Sequence, residues 1–496
     1  MRLRTTAAGR PAPRRSPTRG LEPPVRRVAA VLGLGGFMVV VDTTVTVVAM
    51  AALTRELDAS VSAVQWVTTS YTLALVAVIP AAAWATARFG ARATYLGAVT
   101  VFTLGSVLAA ASGSVGWLIA ARVLQGLGGG LINPVGMAIA LRAAPPGQRG
   151  RMMSLFGIPV LIGPLVGPVL GGWLIDTLSW RWIFLINVPI GLGLIACRRW
   201  LLTDARVPGT RLDLVGLVLL APGAAALAYG FTAIGDAGRV TTAGAVPVVA
   251  GALAVAAFVR RALRHPAPLL RLRLLRDRAL AAGLATIAPF TAAYFGGMLV
   301  VPLYWQVVRG ESAMFAGLVG IPQVLATGLT MQVATRLVDR VPPRLVSTTG
   351  ITVTLAGQLL LISRLTAGAP VVELMAAGAV MGVGVGAALM PTITGATRGL
   401  PHDDIPSGST ILAISQQTSV SLGFAAVSAL LTALVGGAGV AGAYALAPAA
   451  RAAAAPAIAH AMQLTLLLPV GLVALSLVVA LTTLRTDPVP VPVRAP

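Results

Sequence analysis

Fourteen long apolar stretches constrain this chain more than any other feature of its sequence. A helix needs roughly 20 mostly apolar residues to cross a bilayer, because the hydrocarbon core is about 30 Å thick and each residue adds about 1.5 Å. The stretches therefore predict an all-α integral membrane protein with 14 transmembrane helices. The predicted spans cover residues 28–52, 65–84, 94–111, 116–141, 152–175, 183–202, 213–234, 243–260, 280–303, 314–336, 346–363, 371–396, 408–435 and 462–484.

The composition points to the same class of protein. Hydrophobic residues make up 57% of the chain and charged residues 10%, whereas a soluble globular protein has about 25% charged residues. The mean hydropathy is +0.87. These values exclude a water-soluble enzyme. The single cysteine, Cys197, cannot form an internal disulfide, and three histidines add no metal-ligand cluster. We therefore predict no metal and no cofactor.

The basic residues, all of them arginines, predict the orientation of the chain. An even number of spans places both termini on one side, whose loops hold 30 of the 37 arginines, against six on the opposite side and Arg122 inside a span. Positive charge concentrates in cytoplasmic loops, so both termini are predicted to be cytoplasmic in a multi-pass cell-membrane protein. Arginine used instead of lysine is typical of a GC-rich genome and suggests a bacterial inner membrane. Charge placed between apolar stretches does not indicate nucleic-acid binding.

The sequence also contains an internal repeat. A shift of 252 residues aligns the loop at 87–92 with the loop at 339–344, and a shift of 256 aligns the glycines near 126–130 with those near 382–386. Transporters are often built from such duplicated halves. The predicted organisation is a basic cytoplasmic arm at 1–27, a six-helix bundle at 28–202, two extra helices with an interfacial linker at 203–279, a second six-helix bundle at 280–484 and a Pro-rich tail at 485–496.

Within the linker, segment 260–278 alternates arginine with leucine and is too charged to span the membrane. Two interpretations remain open. The segment could be an interfacial connector that lies against anionic headgroups, or it could have a regulatory role.

Two charged residues, Asp42 and Arg122, lie deep inside predicted spans. A charge in hydrocarbon costs from about 2.5 kcal/mol upward, so each must be compensated by protein or water. Asp42 could exchange a proton or sense substrate charge, or it could form a purely structural pair. Arg122 shares one helical stripe with Gln125, Gly129 and Asn133. This stripe favours a polar cavity, although its glycine could simply permit close helix packing.

Span five combines glycine and proline in a regular pattern. Its glycines recur every four residues and form a smooth face, while its prolines remove backbone donors and bend the helix axis. Either a hinge or a tight helix contact would explain this pattern. The residues concerned are Gly163, Pro164, Gly167, Pro168, Gly171 and Gly172.

These motifs resemble those of a known transporter family. The run RVLQGLGGG from Arg122 resembles a span-four signature of the major facilitator superfamily, and residues 157–172 resemble the antiporter signature of span five. The run SWRWIFLINVPIG at 179–191, together with fourteen spans, is similar to the fourteen-span drug:proton antiporter subfamily. The resemblance extends over nearly the whole chain.

The resemblance implies alternating access between two six-helix bundles, with inward proton flux driving the export of a lipophilic compound. Asp42 and Arg122 would then be proton-coupling residues, Gln125 would belong to their polar network, and span five would be the antiporter-motif helix. Cytoplasmic gating would involve Arg88, Gly90, Arg92, Asp339 and Arg340. The chain departs from the family pattern at Ala87, where an acidic residue is expected, and this removes one partner from the cytoplasmic charge network.

Neutral polar residues in the spans bear on the substrate. With Asp42 they would line a cavity suited to neutral, zwitterionic or singly charged molecules, such as a self-made antibiotic or the varied substrates of a multidrug exporter. These residues are Thr46, Gln125, Asn133, Gln323, Thr327, Gln358, Gln416 and Ser419. The expected partners are a small-molecule substrate, protons and the lipid bilayer, with the protein functional as a monomer. Export of another endogenous metabolite or lipid, or a non-transporting sensor, is the alternative, and an enzyme is not expected.

Overall fold

A computed structural model describes residues 22–59, 61–144, 148–201, 213–237, 239–265, 268–311, 313–338, 341–401, 404–435 and 448–484. These residues form helices and turns, with no strand among them. Thirteen described segments are long and apolar enough to cross a membrane. The 29-residue helix Arg149–Thr177 lies between the fourth and fifth of them and completes a set of 14. The chain is thus a multi-pass membrane protein with the predicted number of spans.

We number these helices in chain order. They are α1 (Pro23–Val48), α2 (Val61–Val78, continued by Ala82–Phe89), α3 (Ala91–Ala110), α4 (Val115–Ala143), α5 (Arg149–Thr177), α6 (Asn187–Ala196, preceded by Trp182–Leu185), α7 (Leu214–Ala237), α8 (Thr242–Arg264), α9 (Arg278–Met298, continued by Val300–Leu303 and Tyr304–Val308), α10 (Ile321–Val338, preceded by Ala313–Val319), α11 (Pro343–Arg364), α12 (Val371–Thr397), α13 (Ile405–Val435) and α14 (Pro448–Thr483). Two shorter helices, Met50–Glu56 and Leu272–Arg276, lie in connections.

Two helix starts differ clearly from the sequence prediction. Helix α1 begins at Pro23, inside the arm predicted at 1–27, where Pro at a first helical position fits because its missing N–H is not needed. Helix α14 begins at Pro448 instead of residue 462. Residues 449–455 are mostly alanine, the best helix former, so the helix continues beyond the hydrophobic segment.

The packing of the helices repeats at an interval of eight helices. Helix α1 packs on α5 as α9 packs on α13, and α4 packs on α2 and α3 as α12 packs on α10 and α11. Two six-helix bundles therefore share one internal arrangement. The domain boundaries proposed from the sequence stay predictions at the level of single residues.

Glycine contacts show the repeat in atomic detail. A Cβ on Gly126 would overlap the carbonyl oxygen of Tyr71, and a Cβ on Gly382 would overlap the carbonyl oxygen of Gln323. These positions are related by the shifts of 256 and 252 residues found in the sequence. The same relation holds for Gly130 with Leu75 and Gly386 with Thr327, and for Gly128 with Phe102 and Gly384 with Thr354. In both bundles glycine lets the fourth helix touch the backbone of its neighbours.

The extra helices α7 and α8 pack on each other, and α7 also packs on α2 and α13. Because α2 belongs to the first bundle and α13 to the second, α7 lies along the seam between the bundles. The two extra helices are therefore packed into the body of the protein.

The apolar core differs between the two ends of the molecule. At the end that carries the arginine-rich loops, hereafter the arginine-rich end, one core includes Leu141 and Met152 of the first bundle and Leu280 and Ile405 of the second. At the opposite end each bundle has a core of its own. The bundles are thus joined most extensively at the arginine-rich end.

Helices α4 and α2 approach so closely that adding one methyl group at their contact should destabilise the protein. Gly126→Ala should destabilise the protein by about 1–3 kcal/mol, because the added Cβ must displace the α2 backbone. Gly97→Ala on α3 is the matched control, since its Cβ would meet no atom within 4 Å. Thermal unfolding of the detergent-purified variants measures the difference. Equal unfolding temperatures for the two variants would contradict the close packing.

Candidate functional site

The two charged residues predicted inside the spans meet at the centre of the first bundle. Asp42 lies on α1 and Arg122 on α4, and Arg122 Nη1 donates a hydrogen bond to Asp42 Oδ2 at 2.5 Å. Exposure is 1% for Asp42 and 0% for Arg122. The cost of burying either charge alone is thus offset by the other.

Gln125 joins both members of this pair. Its Oε1 accepts a hydrogen bond from Arg122 Nη1, and its Nε2 lies 2.7 Å from both Asp42 Oδ1 and Ser106 Oγ. Gln125 follows Arg122 by three residues, so both side chains share one face of α4. Close approach of α3 depends on Gly105, where a Cβ would lie 2.7 Å from the Gln125 backbone.

Asn187 on α6 is a further member of the network that the sequence analysis did not identify. Its Nδ2 donates to Asp42 Oδ1 at 2.8 Å, and the residue is fully buried. Ser106 on α3 was also missed. A signal was present for Asn187, since the chain has only two asparagines and this one lies in an apolar run. No comparable signal marked Ser106, because serine is common in membrane helices.

Aromatic rings enclose the guanidinium. The Arg122 Cζ atom lies 3.9 Å from the ring centroid of Tyr71 and 5.6 Å from that of Phe184. Arg122 Nε also donates to the carbonyl oxygen of Val67 at 3.2 Å. Cation–π contacts are stronger when the cation is desolvated, as it is here. The two aromatic residues place α2 and the segment before α6 around the charge.

Three side-chain donors converge on Asp42. Asp42 accepts hydrogen bonds from Arg122, Gln125 and Asn187, which together stabilise its carboxylate. A proton on Asp42 would leave Arg122 as a buried cation without a counter-ion, which is strongly unfavourable. Arg122 Nη2 and Asn187 Oδ1 have no hydrogen-bond partner among the described residues. These two atoms, one a donor and one an acceptor, are unsatisfied in this arrangement of the described residues.

Thr46 and Asn133 were predicted to line a cavity with Gln125. The Thr46 hydroxyl donates to the backbone carbonyl of Asp42 at 2.7 Å and is buried, so it contacts the helix rather than the carboxylate. Asn133 is partly exposed on α4, and its Oδ1 has no partner in the described part of the chain. Whether they line a cavity stays a prediction.

The other predicted cavity residues belong to the second bundle. Thr327 donates to the carbonyl of Gln323, one turn earlier on α10, and Gln358 is buried on α11. Gln416 and Ser419 lie on α13. The role of this set in substrate binding stays a prediction.

The glycine face of α5 packs against α1. A Cβ on Gly163 would lie 2.6 Å from Val40 Cγ1, one on Gly167 would overlap Thr44, and one on Gly171 would lie 3.0 Å from Val45 Cγ1. Of the two interpretations of this pattern, the structure shows a tight contact. Gly172 faces open space. The side chains of Pro164 and Pro168 lie outside the described set, and the antiporter role of α5 stays a prediction.

The predicted gating residues are only partly described. Arg88 is exposed at the end of α2, and Arg92 lies in the first turn of α3. Gly90 joins these helices with a φ of 86°, a conformation that favours glycine. Asp339 and Arg340 lie outside the described residues.

Comparisons with known proteins agree on one family. A sequence model of the Major Facilitator Superfamily matches residues 32–424. The chain is 38% identical over 432 residues to a "Multidrug resistance protein B homolog" of Mycobacterium tuberculosis, covering 86% of this chain and 80% of the relative. It is 33% identical over 414 residues to a "Putative multidrug resistance protein MdtD" of Serratia proteamaculans, covering 81% and 84%.

Solved structures show the same fold at low identity. The proton:xylose symporter XylE bound to 6-bromo-6-deoxy-D-glucose matches with a TM-score of 0.59 at 15% identity, covering 91% of this chain and 94% of the symporter. The human organic anion transporter MFSD10 matches with a TM-score of 0.59 at 15% identity, covering 91% and 100%. At this identity the likeness concerns the fold alone.

The buried pair predicts that removing one charge destabilises the protein more than removing both. Arg122→Leu should destabilise the protein by about 3–5 kcal/mol, because Asp42 is left as an uncompensated buried acid. Adding Asp42→Asn to this variant should restore part of the loss. Arg181→Leu is the control, because Arg181 pairs with Glu56 at 3.8 Å on a half-exposed surface, where an ion pair contributes at most about 1 kcal/mol. Thermal unfolding should separate the variants, and similar losses for Arg122→Leu and Arg181→Leu would argue against a buried ion pair.

Proposed function

The chain belongs to the major facilitator superfamily, and on that premise we propose that it is a proton-driven antiporter that exports lipophilic small molecules from the cytoplasm by alternating access. Drug efflux is the function that its relatives' names support. Proton coupling rests on the Asp42 network. The family consists of transporters, so the charged residues are assigned to coupling and gating rather than to bond chemistry.

The single observation that carries the proposal is a carboxylate within α1, buried and paired with a guanidinium. Such a residue is unfavourable in hydrocarbon, and functional use is the usual reason for its presence. The carboxylate holds α1, α4 and α6 together through three side-chain donors. Its protonation therefore changes how these helices interact.

The proton would act by shifting the balance between two conformations. With Asp42 ionised, its bonds to Arg122, Gln125 and Asn187 stabilise the arrangement described here. With Asp42 protonated, Arg122 needs another partner, so a conformation that lets its free Nη2 reach water or substrate becomes favourable. A proton can shift the equilibrium only through such a difference in interaction energy between states.

The glycine face of α5 would transmit the change to the second bundle. Helix α1 carries Asp42 and packs on α5 through Gly163 and Gly167. Near the arginine-rich end of α5, Gly157 faces Met331 of α10 and Met390 of α12. Helix contacts therefore connect α1, through α5, to the second bundle, so that a movement of α1 can displace helices at the seam.

The internal repeat supports a division of labour between the bundles. The shift of 252 residues places Tyr294 at the position of Asp42 and Gln323 at that of Tyr71. The second bundle therefore has neutral hydrogen-bonding groups where the first has a charge. One charged site, assigned to the proton, leaves neutral groups for the substrate, which fits neutral, zwitterionic or singly charged compounds.

The setting proposed for this cycle follows from charge and composition. The arginine-rich end would face the cytoplasm with both termini, in the inner membrane of a bacterium. The proton gradient would supply the energy without a cofactor, and the monomer would contain the complete route. Nucleic acid has no part in this proposal.

Asp42→Asn is expected to abolish uphill efflux, because an amide cannot carry a proton through the cycle. In inverted vesicles, transport driven by an imposed pH gradient should fall to background, while exchange of substrate without a gradient continues. Glu56→Gln is the matched control, because it makes the same charge change at a carboxylate that is 52% exposed. If the Asp42→Asn variant still accumulated substrate against its gradient, coupling would reside elsewhere, such as Asp213 or Asp339.

The neutral residues of the second bundle predict a substrate preference. Expression in an efflux-deficient host should raise resistance to polyketide-like or aminonucleoside antibiotics more than to divalent biguanides, because each desolvated positive charge needs its own compensation. Minimum inhibitory concentrations measure the difference, with the Asp42→Asn variant as control. Strong resistance to divalent compounds alone would refute the substrate class while leaving proton coupling intact.

A further inference from the structure

The segment that joins the extra helices to the second bundle has an unexpected position. We call residues Pro268–Asp277 the strap. The sequence left open whether this region lies against headgroups or has a regulatory role. In the structure Leu269 and Leu270 are buried, at 6% and 2% exposure, while Arg271 and Arg273 are exposed. Leu269 and Leu270 therefore face protein, and Arg271 and Arg273 face outward.

The buried leucines of the strap lie at the seam between the bundles. They belong to an apolar cluster with Ala83 of α2 and Ile411 of α13, which come from different bundles. Leu220 of α7 and Phe258 and Ala262 of α8 complete the cluster. The second part of α2 also contacts α13 directly. The strap thus covers the junction that must separate if the arginine-rich end opens.

An ion pair fixes the strap to the second bundle. Arg271 Nη1 donates to Asp404 Oδ1 at 2.7 Å, directly before α13. The helix that leads into the strap is held to α7, because Arg261 near the end of α8 donates to Asp213 at 2.9 Å. The strap is therefore bonded to the second bundle, and its buried leucines pack on the extra helices.

The strap lies where the sequence departs from the family pattern. Ala87 stands where an acidic residue is expected, close to Ala83 on the same terminal segment of α2. Without this acidic residue, the charge network expected from the resemblance has one partner fewer at this end. Arg271 and Asp404 supply an ion pair at the same end of the same seam.

We propose that Leu270, Arg271 and Asp404 are gating residues, through which the strap holds the arginine-rich end closed until it is released once in each transport cycle. The assignment rests on the proposed function in one respect, namely that the two bundles separate at this end during transport. Opening would break the Arg271–Asp404 pair and expose leucines that are now buried. The strap thereby sets the rate of inward opening without touching substrate or proton.

Cysteine labelling in lipid nanodiscs tests the gate directly. The background is Cys197→Ser with Ala83→Cys as the reporter, because Ala83 lies in the covered cluster. Arg271→Gln should raise the rate of maleimide labelling about threefold, and Leu270→Ser about tenfold, as expected for losing an exposed ion pair and a buried leucine. Arg273→Gln is the matched control, since it removes an exposed arginine from the same strap. Its labelling rate should not change.

A charge exchange separates gating from misfolding. Arg271→Asp or Asp404→Arg alone should accelerate labelling, and the two together should return it toward the parent rate at an unchanged unfolding temperature. A bifunctional thiol reagent that joins Arg271→Cys to Asp404→Cys should stop transport until the link is reduced. Labelling rates equal to the Arg273→Gln control, or transport unaffected by the cross-link, would overturn the proposal.

The labelling result is independent of the proposed function. It reports opening of the seam in the absence of substrate and of a pH gradient. If labelling responds as expected but uphill efflux fails in the parent protein, the strap assignment stands and the antiport assignment falls. If efflux is proton-driven but the strap variants label at the parent rate, the antiport assignment stands and the strap assignment falls.

Discussion

The need to compensate one buried carboxylate organises the first bundle. Asp42 cannot stay ionised in a membrane interior unless donors surround it, and these come from α4 and α6. The aromatic enclosure of Arg122 and the bond from Gln125 to Ser106 add α2 and α3 to the same network. The network therefore draws on five helices of the first bundle. A proton at this pair would affect all of them together.

Close backbone packing is the second constraint, and it explains why the two bundles look alike despite different chemistry. Glycines at equivalent positions let α4 and α12 touch their neighbours, so the scaffold repeats. The polar groups on that scaffold do not all repeat, because Met381 stands at the position of Gln125, and each packs on an equivalent glycine, Gly357 or Gly105. The close helix contacts are set by small residues and do not require the same polar groups in both bundles. The repeat thus allows one bundle to carry the charged site and the other to remain neutral.

The two extra helices gain a physical role from their position. Helix α7 lies along the seam, and the strap that follows α8 packs over its arginine-rich end and is bonded to Asp404. In the proposed gating, the extra helices therefore supply the connection that closes this end. The arginines of the strap remain exposed, where their charge is compatible with headgroups and water. Arg271 and Arg273 face outward while Leu269 and Leu270 face the seam, and the choice between a connector and a regulatory segment stays a prediction.

The sequence by itself determined the features that depend on composition and spacing. The number of spans follows from hydrophobic length, the repeat from two constant shifts, and the need for a partner to Asp42 from the cost of charge in hydrocarbon. Gln125 could be predicted from the sequence because it lies on the same helix face as Arg122. Only the tertiary structure showed that Asn187 and Ser106 complete the network and that Leu270 is buried at the seam. These contacts join residues far apart in the chain, 145 positions for Asn187 and Asp42, and no local periodicity encodes which distant side chain fills a given space.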